Sequence, residues 1–219
     1  MVQITSSLPA ESKVDAVFHL LDNGSKQGYI GESISQLEHA LQAALYATQA
    51  NADDETVLAA LLHDIGQFCS AKEMKRMIVE ELDDTGSIGL SKDADDKGAE
   101  QSVGIVGHER LGAEYLRKLG FSQKVCELVE SHVVAKRYLT AVDQQYYEDL
   151  SNASKLSLKF QGGSFSPEDA AAFEKDPLFK EKVQLRKWDD ASKVVDLQTP
   201  DLETYRVMAI NHLKCNVQP

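Results

Sequence analysis

The sequence predicts an all-α protein, a helical bundle, and three observations lead there. Apolar residues recur at helical spacing along most of the chain, while strand-like alternation is nearly absent. Ser and Asp residues stand where helix starts need side-chain acceptors, and Gly residues stand where helices should stop. The most apolar of the predicted helices ends on an ionisable pair, His63-Asp64, which places polar chemistry in the middle of the bundle.

Taken in order, Ser35-Gln36-Leu37-Glu38 reads as a capping box. The helix it opens runs to about Ala50, with Leu37, Leu41, Ala44, Leu45 and Thr48 on one stripe. Asp53 or Asp54 caps a second helix, Glu55 to Ile65, ended by Gly66 and apolar nearly all round. From about 80 to 107 the period dissolves into Asp, Gly and Ser, and we expect a long acidic loop, mobile in part. Helices resume with Glu109 to Leu119, stopped by Gly120. The next is capped by Ser122 and turns Val125, Leu128, Val129 and Val133 inward. Gln161-Gly162-Gly163 breaks a later stretch, and Ser166-Pro167 and Thr199-Pro200 each pair an N-cap with Pro at the first helical position. No internal repeat or linker interrupts the pattern, so residues 1–219 are expected to form a single domain.

Composition narrows the function classes. The 219 residues are 42% hydrophobic and 26% charged, an ordinary globular balance. The formal net charge is −12, a field that repels a phosphate backbone and argues against nucleic acid as partner. A small anion is not excluded, because one local Lys and Arg cluster outweighs a distant net charge. Cys69, Cys126 and Cys215 are odd in number and lack ligand-like spacing, as expected of reduced thiols in a cytoplasmic protein. The first residues lack the basic-then-apolar pattern of a signal peptide, and no apolar run suits a bilayer.

The chemistry centres on His63-Asp64. Two ionisable side chains at the end of so apolar a helix need partners, and a divalent metal suits neutral imidazole with carboxylate. His39 lies 24 residues before His63, and His108 and His132 are again 24 apart, in each case about one helix and one turn. The simplest geometry puts these side chains on neighbouring helices, converging inward, with Asp189 closing the set from a later helix. A single buried His is more often a hydrogen-bonded core residue than a ligand, and His19 and His212 fit that role or a surface one. Lys136 follows His132 by four residues and Arg186 precedes Asp189 by three, so two cations lie one turn from two expected ligands, which favours an anion site.

The order His39, His63-Asp64, Asp189 resembles the HD superfamily, whose minimal pattern holds one metal; His108 and His132 match its two-metal members. By that resemblance His39, His63, Asp64 and Asp189 serve one ion, Asp64, His108 and His132 serve the other, and Asp64 bridges. Mixed nitrogen and oxygen donors suit iron or manganese and also admit zinc.

A closer resemblance is to the PhnZ-type oxygenases, which use two irons to cleave the carbon–phosphorus bond of 1-hydroxyphosphonates. It rests on the stretch Tyr29 to His39, on Leu61-Leu-His-Asp-Ile-Gly66, on His108 to Leu116, on His132 to Leu139, on Phe160-Gln-Gly-Gly163 and on Leu185-Arg-Lys-Trp-Asp189. The resemblance implies a mixed-valent Fe(II)/Fe(III) pair and a Tyr29 that guards one iron until substrate arrives. It also implies a Glu32 that supports substrate recognition and closure, and phosphonate contacts from Lys136, Ser154, Gln161 and Arg186. Gln67 stands where the founding member has a contacting His. The implied partners are a small organophosphonate and O2. The implied substrate is a 2-amino- or 2-(trimethylammonio)-1-hydroxyethylphosphonate, giving phosphate and glycine or glycine betaine. Around a trimethylammonium, Tyr29, Phe68, Tyr138, Phe160 and Phe165 are candidate walls. The alternative is a two-metal phosphohydrolase acting on a nucleotide or small phosphate ester.

Overall fold

Helices begin where short polar side chains can take up the first free N–H groups. The computed structural model describes residues 8–25, 27–29, 32–68, 105 and 107–216. In it α1 spans Ala10–Gly24, and α2, Gln36–Gln49, opens on the expected capping box, Ser35 accepting from the Glu38 N–H while Glu38 accepts from the Ser35 N–H. Asp53 caps α3, Asp54–Leu62. After a 3-10 turn over Ile65–Phe68 come α4, His108–Leu119, and α5, Gln123–Val142, which Ser122 caps. The chain continues through α6, Gln144–Asp149, α7, Asn152–Phe160, and α8, Pro167–Phe173. Then follow α9, Phe179–Ala191, a second 3-10 turn over Leu202–Tyr205, and α10, Arg206–Cys215. The described residues hold no strand, only an isolated bridge between Gly28 and Ser35, so the all-α expectation holds.

Several boundaries differ from the sequence reading. The second predicted helix stops at Leu62, four residues before Gly66, because His63 and Asp64 turn the chain into the 3-10 segment. Thr199-Pro200 starts no helix; Asp201 caps the 3-10 turn instead, accepting from the Thr204 N–H. On α2 the buried face is carried by Ala40, Leu41, Ala43, Ala44 and Ala47, while Thr48 is exposed and Leu45 half-buried, because small residues let α3 approach closely. The predicted loop at 80–107 lies outside the described residues except for Ile105 and Gly107, as does Cys69.

The core sits around α3 and α5. All of Thr56 to Leu62 is buried, and Leu58, Leu61 and Leu62 each contribute about 2 kcal/mol by leaving water. That burial is of the size needed to offset seating the ionisable pair that follows, since a buried charge costs several kcal/mol. α5 packs on α4, α9 and α3 at once. A smaller cluster of Tyr138, Leu139 and Ala170, with Phe165, Phe173 and Phe179 against it, ties the end of α5 to α8 and α9. Two glycines interlock where the 3-10 turn meets α4. A Cβ on Gly66 would lie 2.0 Å from the His108 carbonyl oxygen, and one on Gly112 would lie 2.9 Å from Ile65 Cγ2.

The contact at Gly66 is with backbone alone, so no side chain can swing aside. Gly66→Ala is expected to lower stability by about 3 kcal/mol, a fall in Tm of roughly 6–12 °C. Gly28→Ala, where nothing lies within 4 Å of the new methyl, should change stability by less than about 0.5 kcal/mol. Thermal unfolding followed by circular dichroism checks both.

Candidate metal centre

Each of the four core histidines is fixed by its own backbone contact. Nδ1 of His63 lies 2.8 Å from the Ala60 carbonyl and Nδ1 of His132 lies 2.7 Å from that of Val129, each three residues earlier in the same helix or its end. His39 Nδ1 reaches the Ser192 carbonyl at 2.7 Å, and His108 Nδ1 reaches that of Ile105 at 2.9 Å. A carbonyl only accepts, so every Nδ1 carries the proton and donates. Every Nε2 is thereby left with a lone pair.

Those lone pairs face one another. His39 Nε2 and His63 Nε2 are 3.0 Å apart, and His108 Nε2 and His132 Nε2 are also 3.0 Å apart. Two acceptors at that distance repel unless a cation lies between them. Asp64 stands between the pairs with one oxygen toward each: Oδ2 is 3.7 Å from both His39 and His63 Nε2, and Oδ1 is 3.0 Å from His108 and 3.6 Å from His132. Asp189 Oδ1 completes the first group at 3.3 Å from His39 Nε2 and 3.8 Å from that of His63. His39, His63 and Asp64 form one group able to hold an ion, and Asp64, His108 and His132 a second. All six side chains are buried. The donor set fits two metal ions that share Asp64, the arrangement expected from the sequence.

The crowding of these groups also sets their electrostatics. Burial works against ionising Asp64, but His63, His108 and His132 outweigh it and hold the carboxyl below its usual range. Burial likewise opposes ionisation of Asp189, and the Arg186 guanidinium reverses the balance. Burial and the nearby His108 push His132 down to about 3, so its imidazole stays neutral and free to ligate.

A cavity of about 760 Å³ opens onto the centre, with Asp64, His108, His132 and Asp189 in its wall. The sequence-predicted residues Tyr29, Glu32, Gln67, Lys136, Ser154, Gln161 and Arg186 all line it. Tyr29 stacks on His39 with ring centroids 3.9 Å apart, and burial together with Asp189 and Asp64 raises its phenol well above the ordinary value. Lys136 donates to Ser157 Oγ at 2.9 Å; burial and the nearby Arg186 pull its ammonium down to about 7. Arg186 is more committed than the sequence suggests. It donates to Asp189 Oδ2 at 2.8 Å and to Asp190 Oδ2 at 2.9 Å, so it holds a candidate ligand as well as facing the cavity.

Sequence reasoning missed several lining residues, among them Gln36, Ser157 and Lys193. Lys193 lies 3.9 Å from Glu32 Oε1 and 3.3 Å from Ser154 Oγ. Gln36 is buried, and its Oε1 has no hydrogen-bond partner among the described residues. The only advance signal for Gln36 was a long amide inside a capping box. Of the candidate aromatic walls only Tyr29 lines the cavity. Phe68 is buried beneath Gly24, Tyr138 packs edge-on or tilted against Phe173 and Phe179, Phe165 lies under Arg137, and Phe160 is 60% exposed. His19 is exposed, and His212 is a core residue that accepts from the Ser122 N–H at 3.0 Å.

Metal analysis of purified variants tests this geometry. Asp64→Ala is expected to lose both ions, whereas His39→Ala and His132→Ala should each lose one position. His212→Ala should keep both ions and instead lower stability by about 1–3 kcal/mol, since it leaves a helix-start N–H without its acceptor.

Comparison with known proteins agrees with the site. The HD domain family matches residues 37–158, which contain five of the six candidate ligands and exclude Asp189. A hydroxymethylphosphonate dioxygenase of Gimesia maris is 39% identical over 201 residues, covering 91% of this chain and 87% of that one. A [1-hydroxy-2-(trimethylamino)ethyl]phosphonate dioxygenase (glycine-betaine-forming) of Leisingera caerulea is 37% identical over 196 residues, covering 90% and 88%. An uncharacterised protein of Acanthamoeba polyphaga mimivirus is 34% identical over 200 residues, covering 91% and 81%. With five ligands inside the family match and near full-length likeness to two dioxygenases, the chain belongs to the HD-domain family, in its PhnZ-type branch.

Proposed function

We propose that this chain is an iron-dependent oxygenase that cleaves the carbon–phosphorus bond of a 2-amino- or 2-(trimethylammonio)-1-hydroxyethylphosphonate with O2. The products are phosphate and glycine or glycine betaine. The observation that carries the reading is the pairing of two-His-and-carboxylate groups, joined at Asp64, with a cavity that holds the buried cations Lys136 and Arg186. Two His and one carboxylate is the donor set of non-haem iron oxygenases. The spacing of the nitrogens points the same way. Adjacent ligands of an octahedral ion with bonds of about 2.1 Å lie about 3.0 Å apart, against about 3.4 Å for a tetrahedral ion. When bound, a mixed-valent Fe(II)/Fe(III) pair supplies the activation of O2.

The chain's own residues bind, orient and exclude. Lys136, with Ser154, Gln161 and Gln67 beside it, offers a phosphonate the mix of cation and neutral donors that three acceptor oxygens require. Arg186 adds its field and keeps Asp189 turned toward His39. Tyr29, lying flat on His39, covers the first metal group and keeps water from it. The Glu32 carboxylate in the cavity wall favours a substituent that brings N–H donors, so the primary ammonium suits this cavity better than a trimethylammonium. The same reading takes residues 1–219 as one cytoplasmic domain, supported by α9 and α10 packing into the core that α3 and α5 share.

The iron-loaded protein should consume O2 and release phosphate from 2-amino-1-hydroxyethylphosphonate; phosphate release from nucleotides without O2 would make it a hydrolase instead. Glu32→Gln should reduce its preference for the primary amine over the trimethylammonium compound, read as the ratio of kcat/KM values. Above pH 7 the empty site holds Lys136 partly neutral, and an arriving dianion favours its charged form. Binding at pH 8 should therefore take up protons, and affinity should fall as pH rises further, both measurable by calorimetry in buffers of different ionisation enthalpy.

A further inference from the structure

Gln67 has a second connection that its place in the cavity wall does not reveal. Its Oε1 accepts the Ile105 N–H at 2.9 Å, and the Ile105 carbonyl accepts from His108 Nδ1 at 2.9 Å. One residue, Ile105, therefore joins the cavity wall to a candidate metal ligand. The other three histidines do not depend on such a link. The carbonyls that hold His63 and His132 belong to α3 and α5, where the helical ladder fixes them. The carbonyl that holds His39 belongs to Ser192, which is fully buried and pinned by its own Oγ on the Trp188 carbonyl at 2.6 Å. Ile105 precedes α4 and lies outside any helix, and the turn after it passes through Gly107 at φ +80°. Its side-chain anchor among the described residues is Gln67.

We propose that Gln67 is a positioning residue for His108. Through the Ile105 backbone it holds the imidazole with Nδ1 donating and Nε2 aimed at the second metal group, so loss of Gln67 Oε1 weakens that group selectively. The proposal stands on the metal pair and is independent of which reaction the pair performs.

Anaerobic Fe(II) titration of the full chain, followed by metal analysis, tests this. Gln67→Leu is expected to bind one ion as wild type does and the second roughly 10–100-fold more weakly, as removal of such outer partners generally does. Gln67→Glu keeps an acceptor for the Ile105 N–H and should retain both ions, while its added charge raises KM for an anionic substrate. In a His132→Ala background, where the second group is already broken, Gln67→Leu should change nothing further. In a His39→Ala background it should weaken the remaining ion. Wild-type affinity for both ions in Gln67→Leu would overturn the proposal. So would equal weakening of both ions, or equal metal loss in the Leu and Glu variants.

Discussion

Everything in the interior answers to one repulsion: four imidazole nitrogens with their lone pairs turned toward one another in a buried space. The backbone creates it deliberately, because each ring must donate its single proton outward to a carbonyl. A carboxylate set in the middle adds negative charge to the same point. Without compensation this is among the most costly arrangements a core can contain. With two cations it becomes a clamp, and the apolar shell of α3 and α5 then strengthens the attraction by excluding water.

Stability and function therefore compete for the same residues. α3 is entirely aliphatic from Val57 to its end, and the leucines there hold in place a pair that would otherwise leave. The glycines at 66 and 112 let the 3-10 turn and α4 approach closely enough for one aspartate to touch both histidine pairs. Arg186 shows the same economy, steadying Asp189 with one nitrogen and Asp190 with another while also facing the cavity.

Much of this was legible in the residues. The Ser35 capping box and the aliphatic run before His63 announce two helices and a buried polar end, and the 24-residue spacings bring four histidines together. What escaped was anything set by exact helix phase or by contacts distant in sequence. Thr48 fell off the buried face because alanines, not leucines, meet α3. Thr199-Pro200 imitates a helix start, yet the chain stays extended to Asp201. Lys193 and Gln36 carry no motif, and only the folding of α9 against α2 brings both to the cavity. The aromatic walls failed for a related reason: side chains of the right type pack just as well into a separate cluster.

The contribution of α9 has a consequence for how the protein is made. Asp189, and the Ser192 carbonyl that orients His39, come from the last sixth of the chain, beyond the stretch the HD family spans. During synthesis the His108 and His132 pair with Asp64 exists many residues before the other group can close. The second group's ligands are thus all synthesised before the last member of the first group.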